Sequence, residues 1–220
     1  MNKFNNMKHK VLYIYDYNSS LNSNTFRWLK EHLPNTDMYS INYNQSNPND
    51  GIESLCNYVK EKHIDIAIGS GLGGWYTMHV ASKCSLPCIL INPLTDLTLK
   101  STLEFVTKNN VSIVNTYIKY IKEHPLFQNN EHWNGYSWDK NEDGDYAILL
   151  LSDSDELIKQ TEESNKQFYN NFPNLCIIPN GKYQLNDEEK EMYLLASYNK
   201  LVNEIIPKMN YFYKNVNIIP

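Results

Sequence analysis

Six consecutive residues, Gly69-Ser70-Gly71-Leu72-Gly73-Gly74, carry the densest chemical signal in the chain. An apolar run, Ile66–Ile68, enters them, and a helix-like stretch with Trp75, Tyr76 and Met78 leaves them. Two chemistries overlap there. With Gly69, Gly71 and Gly74 as its glycines, the turn fits G-x-G-x-x-G and reads as a nucleotide-binding module, where backbone N–H groups and a helix N-terminus approach a pyrophosphate. That fingerprint belongs on the first strand of its unit, and an acid about 20 residues later holds the ribose. Here the turn follows the third strand, the next strand ends in Asn92-Pro93, and Asp96 comes too late.

The second pattern is G-x-S-x-G with its centre changed. Gly69 and Gly73 are the flanking glycines, and Gly71 stands at the nucleophile position. A nucleophile elbow is a strained strand-to-helix turn, which glycine adopts readily. The backbone device is present and the attacking hydroxyl is absent. Ser70 is one residue early, with its side chain directed away from the elbow tip, and reads as a turn residue.

The elements that must position this turn alternate along the chain. Val11–Tyr17 reads as a strand and SNTFRWLKEHL as a helix capped by Ser23 or Asn24. Asp37–Tyr43 is a second strand, and GIESLCNYVKEKH a helix with Ile52, Leu55, Cys56 and Val59 on one stripe. IDIAIGS, PCILINP, Tyr146–Ser152 and Leu175–Pro179 complete six strands. Helices are expected over Gly74–Cys84, about Asp155–Phe172 and about Asp187–Pro207, with a helix-leaning stretch containing SIVNTYIKYIKEH. Continuous apolar strands alternating with helices imply a parallel sheet covered on both faces. One α/β domain over residues 1–220 accounts for the pattern. Residues 127–145 are polar, with Trp133 and Trp138, and read as a surface excursion or a lid.

In open α/β sheets, sites lie beyond the carboxyl ends of the strands. That rim gathers Tyr15–Asn18, Gly69–Gly73, Asn92–Pro93, Ser152–Asp155 and Asn180–Tyr183, with Tyr15, Asp16, Tyr17, Ser70, Gly71, Leu72, Asp155, Lys182 and Tyr183 as the candidates to line a pocket. Composition narrows what the rim can bind. The formal charge is −5, and the one arginine among 220 residues is Arg27. Arginine forks are the usual instrument of phosphate and guanine recognition, so no nucleic-acid partner is expected. Cys56, Cys84, Cys88 and Cys176 form no CxxC pair and no zinc spacing, and read as free thiols. No segment has the pattern of a signal peptide or the ~20 apolar residues of a membrane span. A cytoplasmic protein with no membrane partner, no metal and no cofactor is expected.

Three stretches in order carry a resemblance. LYIYDYNSS (Leu12–Ser20), GSGLGGWYTMHVASKCSLPCILINP and LLLSDSDEL (Leu149–Leu157) resemble the first strand and turn, the elbow with its helix and following strand, and the acid-bearing turn of the YqiA/YcfP-type family. Its members are small α/β-hydrolase-fold proteins, and one branch is described as esterases. The likeness covers most of the chain up to about Leu185 and is weakest between Lys100 and Asp145. It implies the α/β-hydrolase fold. Carried over residue by residue, it also implies loss of function. The family's His-Gly-Phe, whose backbone helps form an oxyanion hole, is Tyr15-Asp16-Tyr17 here, and an aspartate opposes a developing oxyanion. The serine is Gly71, the acid is matched by Asp155, and the segment expected to hold the histidine offers Lys182 and Tyr183.

The histidines lead to the same conclusion without the resemblance. A hydrolase of this fold orders nucleophile, acid and histidine along the chain. None of the six histidines lies beyond Asp155. The expectation is a non-catalytic protein that keeps a pocket for a small molecule or a protein partner. Two other readings stay open: an unconventional hydrolase using Asp16, Asp155 and Tyr183, with a metal between the two acids conceivable but demanded by no spacing, and the nucleotide-binding turn.

Overall fold

The computed structural model describes residues 8–17, 19–33, 35–94, 103–104, 107, 110–124, 146–154 and 174–209, together with the backbone of three short strands at 127–128, 132–133 and 136–137. The expected helix at Asp155–Phe172 lies outside the described residues.

Six strands form one parallel sheet: β1 (His9–Ile14), β2 (Thr36–Tyr39), β3 (Ile66–Ser70), β4 (Cys88–Ile91), β8 (Ala147–Ser152) and β9 (Leu175–Ile178), in the order β2-β1-β3-β4-β8-β9. All five pairings are parallel, with β1 against β3 in the register Leu12↔Ala67 and Ile14↔Gly69. β3, β4 and β8 are central and buried almost throughout, as their continuous apolar runs require. β2 is shorter than expected, because pairing stops at Tyr39 and the chain then turns across the rim. Two-residue strands β5 (Phe127–Gln128), β6 (His132–Trp133) and β7 (Tyr136–Ser137) make a small antiparallel sheet inside the polar stretch that the sequence left irregular.

The helices begin where short polar side chains cap them. Ser23 Oγ accepts from Phe26 N ahead of α1 (Asn24–His32). Asn47 caps α2 (Pro48–Lys62), with proline in the first turn, so this helix starts three residues earlier than its apolar stripe suggested. Asn110 caps α4 (Val111–Glu123). A capping box of Asn186 and Glu189 opens the C-terminal helix, which alternates α turns (Asp187–Glu189, Ala196–Lys200) with π turns (Lys190–Leu195, Leu201–Ile205). The exception is α3 (Leu72–Cys84), where the capping position is Gly71 and offers no side chain.

α3 is the most buried helix described: its first ten residues are all buried. The glycines of the turn permit that depth. A Cβ on Gly73 would strike the carbonyls of Ile14 and Tyr15, one on Gly69 would strike Thr77 and Gly73, and one on Gly74 would meet Pro93. The glycine spacing that suggested a phosphate cradle is therefore used for close approach of α3 to β1, β3 and the end of β4.

Candidate functional site

The site begins at Gly71. Its φ of +54° and ψ of −122° form a sharp strand-to-helix turn in a region that side-chain-bearing residues rarely occupy. The turn is braced on both sides. Gly71 N donates to Ile91 O, and Gly71 O accepts from Leu94 N and Trp75 N. In its backbone the turn resembles a nucleophile elbow, and the residue at its tip is a glycine.

In an active elbow, the N–H of the following residue and an N–H from a neighbouring strand's loop bind the oxyanion. The N–H groups that the resemblance puts in those places are Leu72 N and Tyr17 N, and both are engaged. Each donates to Asp16 Oδ1 at 2.7 Å. The other carboxylate oxygen, Oδ2, accepts a short hydrogen bond from Tyr183 Oη. A Cβ built on Gly71 would land on Tyr183 Oη and on the Asp16 carboxyl. The Asp16–Tyr183 pair thus fills the volume that a side chain at position 71 would take.

Four sequence candidates from three distant parts of the chain (Asp16 after β1, Gly71 and Leu72 after β3, and Tyr183 after β9) converge on this point. Asp16 is partly buried. Loss of hydration pushes its carboxyl above the ordinary carboxylate range, and the hydrogen bonds from Tyr183, Leu72 and Tyr17 pull the other way.

The other described candidates have partners of their own. Ser70 Oγ shares a 2.8 Å hydrogen bond with Tyr13 Oη. Tyr15 is buried, and its hydroxyl donates to Asn42. The Lys182 side chain is exposed, and its contribution is a backbone carbonyl. Asp155 lies outside the described residues. Among the described residues, no group of three or more His, Cys, Asp or Glu is placed to hold a metal ion.

Sequence reasoning put Asn92 on the rim but gave it no role, and it missed the other residues that hold the pair in place. Asn92, buried with a φ of +43°, knits three elements together. Its Nδ2 donates to Ser152 Oγ at 3.0 Å and to the carbonyls of Lys182 and Tyr183, and its Oδ1 accepts from Ser152 N at 2.8 Å. This fixes the loop that presents Tyr183. Asp153 Oδ1 adds a 2.6 Å bond from Asn180 N. On the Asp16 side, Gln45 Nε2 donates to Asp16 O, and Tyr43 Oη donates to Tyr15 O at 2.6 Å. Tyr117 Oη donates to Gln45 O and meets Tyr76 Oη at 2.8 Å. The available signals were two, an Asn-Pro at a strand end and the 17 tyrosines of the chain. Neither names a partner.

A six-stranded parallel sheet with an elbow at the carboxyl end of a central strand defines an α/β-hydrolase fold, and solved structures agree. An α/β hydrolase, MGS-MChE2, from a sediment metagenome of the Mar Chica lagoon aligns with TM-score 0.61 at 11% identity, covering 87% of this chain and 90% of that one. Est1E from Butyrivibrio proteoclasticus with ferulic acid bound aligns with TM-score 0.58 at 11% identity, covering 96% and 93%. A carboxylesterase of Nitrososphaera gargenis aligns with TM-score 0.57 at 13% identity, covering 90% and 92%. At such identities the likeness is one of fold. In sequence, residues 10–199 match the profile of UPF0227, described as an uncharacterised protein family, and the chain belongs to that family. A search of curated proteins finds no match.

Proposed function

We propose that this chain is a non-hydrolytic member of the α/β-hydrolase fold, one domain acting in the cytoplasm, that uses the rim around Asp16 and Tyr183 to bind a small molecule or a protein. The observation that carries the reading is the double hydrogen bond into Asp16 Oδ1 from Tyr17 N and Leu72 N. Acyl transfer needs those two donors free for the oxyanion, and a carboxylate of the same chain takes both. Gly71 supplies no nucleophile, and Tyr183 stands where the resemblance puts the histidine. Four free cysteines accord with a reducing compartment.

The purified protein should show no hydrolysis of short-chain p-nitrophenyl esters above a buffer blank and no labelling by a fluorophosphonate probe. Turnover, or labelling at Ser70, would overturn the reading.

One observation favours a second reading, an acid–base enzyme built on Asp16, Tyr183 and Asp155: the buried carboxyl and the phenol share a short hydrogen bond. Any turnover found should then vanish in both Asp16→Asn and Tyr183→Phe. The nucleotide reading has less support, because Gly71 N and Leu72 N are committed to Ile91 O and Asp16.

A further inference from the structure

Helix α4 touches two places at once. Its buried residues are Val114, Tyr117 and Tyr120, and the two tyrosines lie against α3. Tyr117 is 5.4 Å from Trp75 between ring centroids, and Tyr120 is 5.8 Å from Trp75 and 5.2 Å from His79. The same face serves the rim. Tyr117 Oη donates to Gln45 O at 2.7 Å, and Tyr76 Oη, 2.8 Å from it, donates to Asn44 O. Gln45 Nε2 in turn donates to Asp16 O. One chain of contacts therefore runs from His79 through Tyr120 and Tyr117 to the turn that carries Asp16.

His79 is the weak point of that packing. It is 5% exposed, lies 4.3 Å from Trp75 between centroids, and its Nε2 has no hydrogen-bond partner. An imidazole is tolerated in such a place only while it is neutral. The charged or titratable groups that face it are Lys83 on α3 itself, and Tyr120 and His124 on α4, whose rings pack together at 4.7 Å. The elements α2, β1, β3 and β4 also pack on α3, and no charged group of theirs acts on His79. Among the described residues, no carboxylate is placed to receive a protonated His79.

We propose that His79 is a proton-operated latch on the rim: when its imidazole takes up a proton, α4 lifts from α3, Tyr117 lets go of Gln45, and Asp16 is withdrawn from Leu72 N and Tyr183 Oη. The latch rests on the reading of the rim as a binding site and names the signal that opens it. Two sites share two states, so their coupling is mutual. Acid favours the open rim, and a ligand that holds the rim open makes His79 easier to protonate. In the closed state burial lowers the His79 pKa to about 3. Once α4 has lifted, the ring is hydrated and titrates at about 6.5. The open form therefore binds the proton more tightly. Between pH 7.5 and pH 5 the ratio of open to closed should rise about 30-fold.

The test is carbon NMR of the full chain, isotopically labelled in its histidine and tyrosine rings and followed from pH 7.5 to pH 5 with no ligand added. The His79 imidazole should take up its proton, and the Tyr117 and Tyr183 phenol signals should move with it. The Tyr13 phenol, bonded to Ser70 Oγ, should stay still. In His79→Phe neither rim phenol should respond. Tyr117→Phe keeps the ring and removes the bond to Gln45, so His79 should still titrate and Tyr183 should no longer follow. A Tyr183 shift that survives in His79→Phe would be Asp16 titrating by itself, and would overturn the proposal. So would a wild-type His79 that stays neutral throughout, or His79 and Tyr183 signals that move at separate pH values, or that move only when Tyr13 moves and the chain unfolds. These last outcomes are read on the unmutated protein, so they do not depend on the variants folding. A failed latch leaves the binding reading standing, and ester hydrolysis at the rim would refute that reading without touching the latch.

Discussion

Asp16 and Gly71 must be read together. The resemblance places a glycine where Asp16 stands and a serine where Gly71 stands, and in space one carboxyl occupies what the serine would have filled. Restoring one position alone should therefore fail for steric reasons before chemical ones. Gly71→Ser forces a side chain into a positive-φ conformation and onto the Asp16–Tyr183 pair. A loss of at least about 2 kcal/mol is expected, with no esterase activity. Gly71→Ser combined with Asp16→Gly and Tyr183→His clears the hole and supplies both nucleophile and base. If any variant hydrolyses p-nitrophenyl acetate, this triple change should, and full activity from Gly71→Ser alone would refute the account. Asp16 also has a pH signature. Its folded pKa is raised by burial, so its favourable contribution is complete in acid and is lost as the pH climbs past the ordinary carboxylate range. Asp16→Asn keeps an oxygen for Leu72 N and Tyr17 N without the buried charge. Melting curves across pH should show the variant gaining on wild type as pH rises, and a constant difference would count against a buried charge at this position. None of this compensation was legible in the sequence, which showed a missing serine and an intrusive acid as separate defects. Only the path of the chain brings residues 16, 71 and 183 to one point.

Among the elements, α3 decides most. Its sequence signature, glycines followed by aromatic and apolar residues, announced a helix packed hard against a sheet, and its position and length came out nearly as read. β1, β3, β4 and β8 were equally legible, because buried parallel strands write themselves as unbroken apolar runs. The start of α2 was misplaced because a cap and an N-terminal proline outweigh the apolar stripe. The polar stretch after α4 offered no periodicity to read, and two-residue strands leave none. α3 also carries a cost. His79 is buried against Trp75, at 4.3 Å between ring centroids, and Tyr120 of α4, and its Nε2 has no hydrogen-bond partner. Burial lowers its pKa to about 3, with Lys83 on the same helix and His124 at the end of α4 acting in the same direction. The folded chain therefore binds its proton less readily than the unfolded chain does. The neutral imidazole is tolerated above the ordinary histidine range, and stability drains away as the pH falls from there toward 3. Between pH 7 and pH 4 the effect is roughly 3 kcal/mol. His79→Phe keeps the ring stack and removes the proton, so urea melts of the variant should lose most of that acid dependence. An unchanged slope would mean that His79 is hydrated in solution.

At the scale of the whole molecule, the proposed function sets a rim on an α/β-hydrolase-fold sheet whose electrostatic preference is the reverse of an acyl-transfer site's. An active site of this fold presents unoccupied N–H donors to a developing negative charge. This rim presents donors already satisfied by a carboxylate. Ligands that bring their own carboxylate or phosphate must compete with Asp16, whereas neutral and cationic ones need not. A thermal-shift screen should accordingly find stabilisers among neutral and cationic compounds, and the cationic ones should weaken in Asp16→Asn. Stabilisation of wild type by phosphates or dinucleotides would revive the phosphate cradle. The closed hole also has a consequence for observing the molecule. The amides of Tyr17 and Leu72 are held by a charged oxygen 2.7 Å away, so their protons resonate far downfield and exchange slowly with deuterium. Any ligand that evicts Asp16 resets both signals at once. Whatever the natural occupant of the rim is, the protein carries two backbone reporters of its arrival, readable without a substrate, a label or a guess at the reaction.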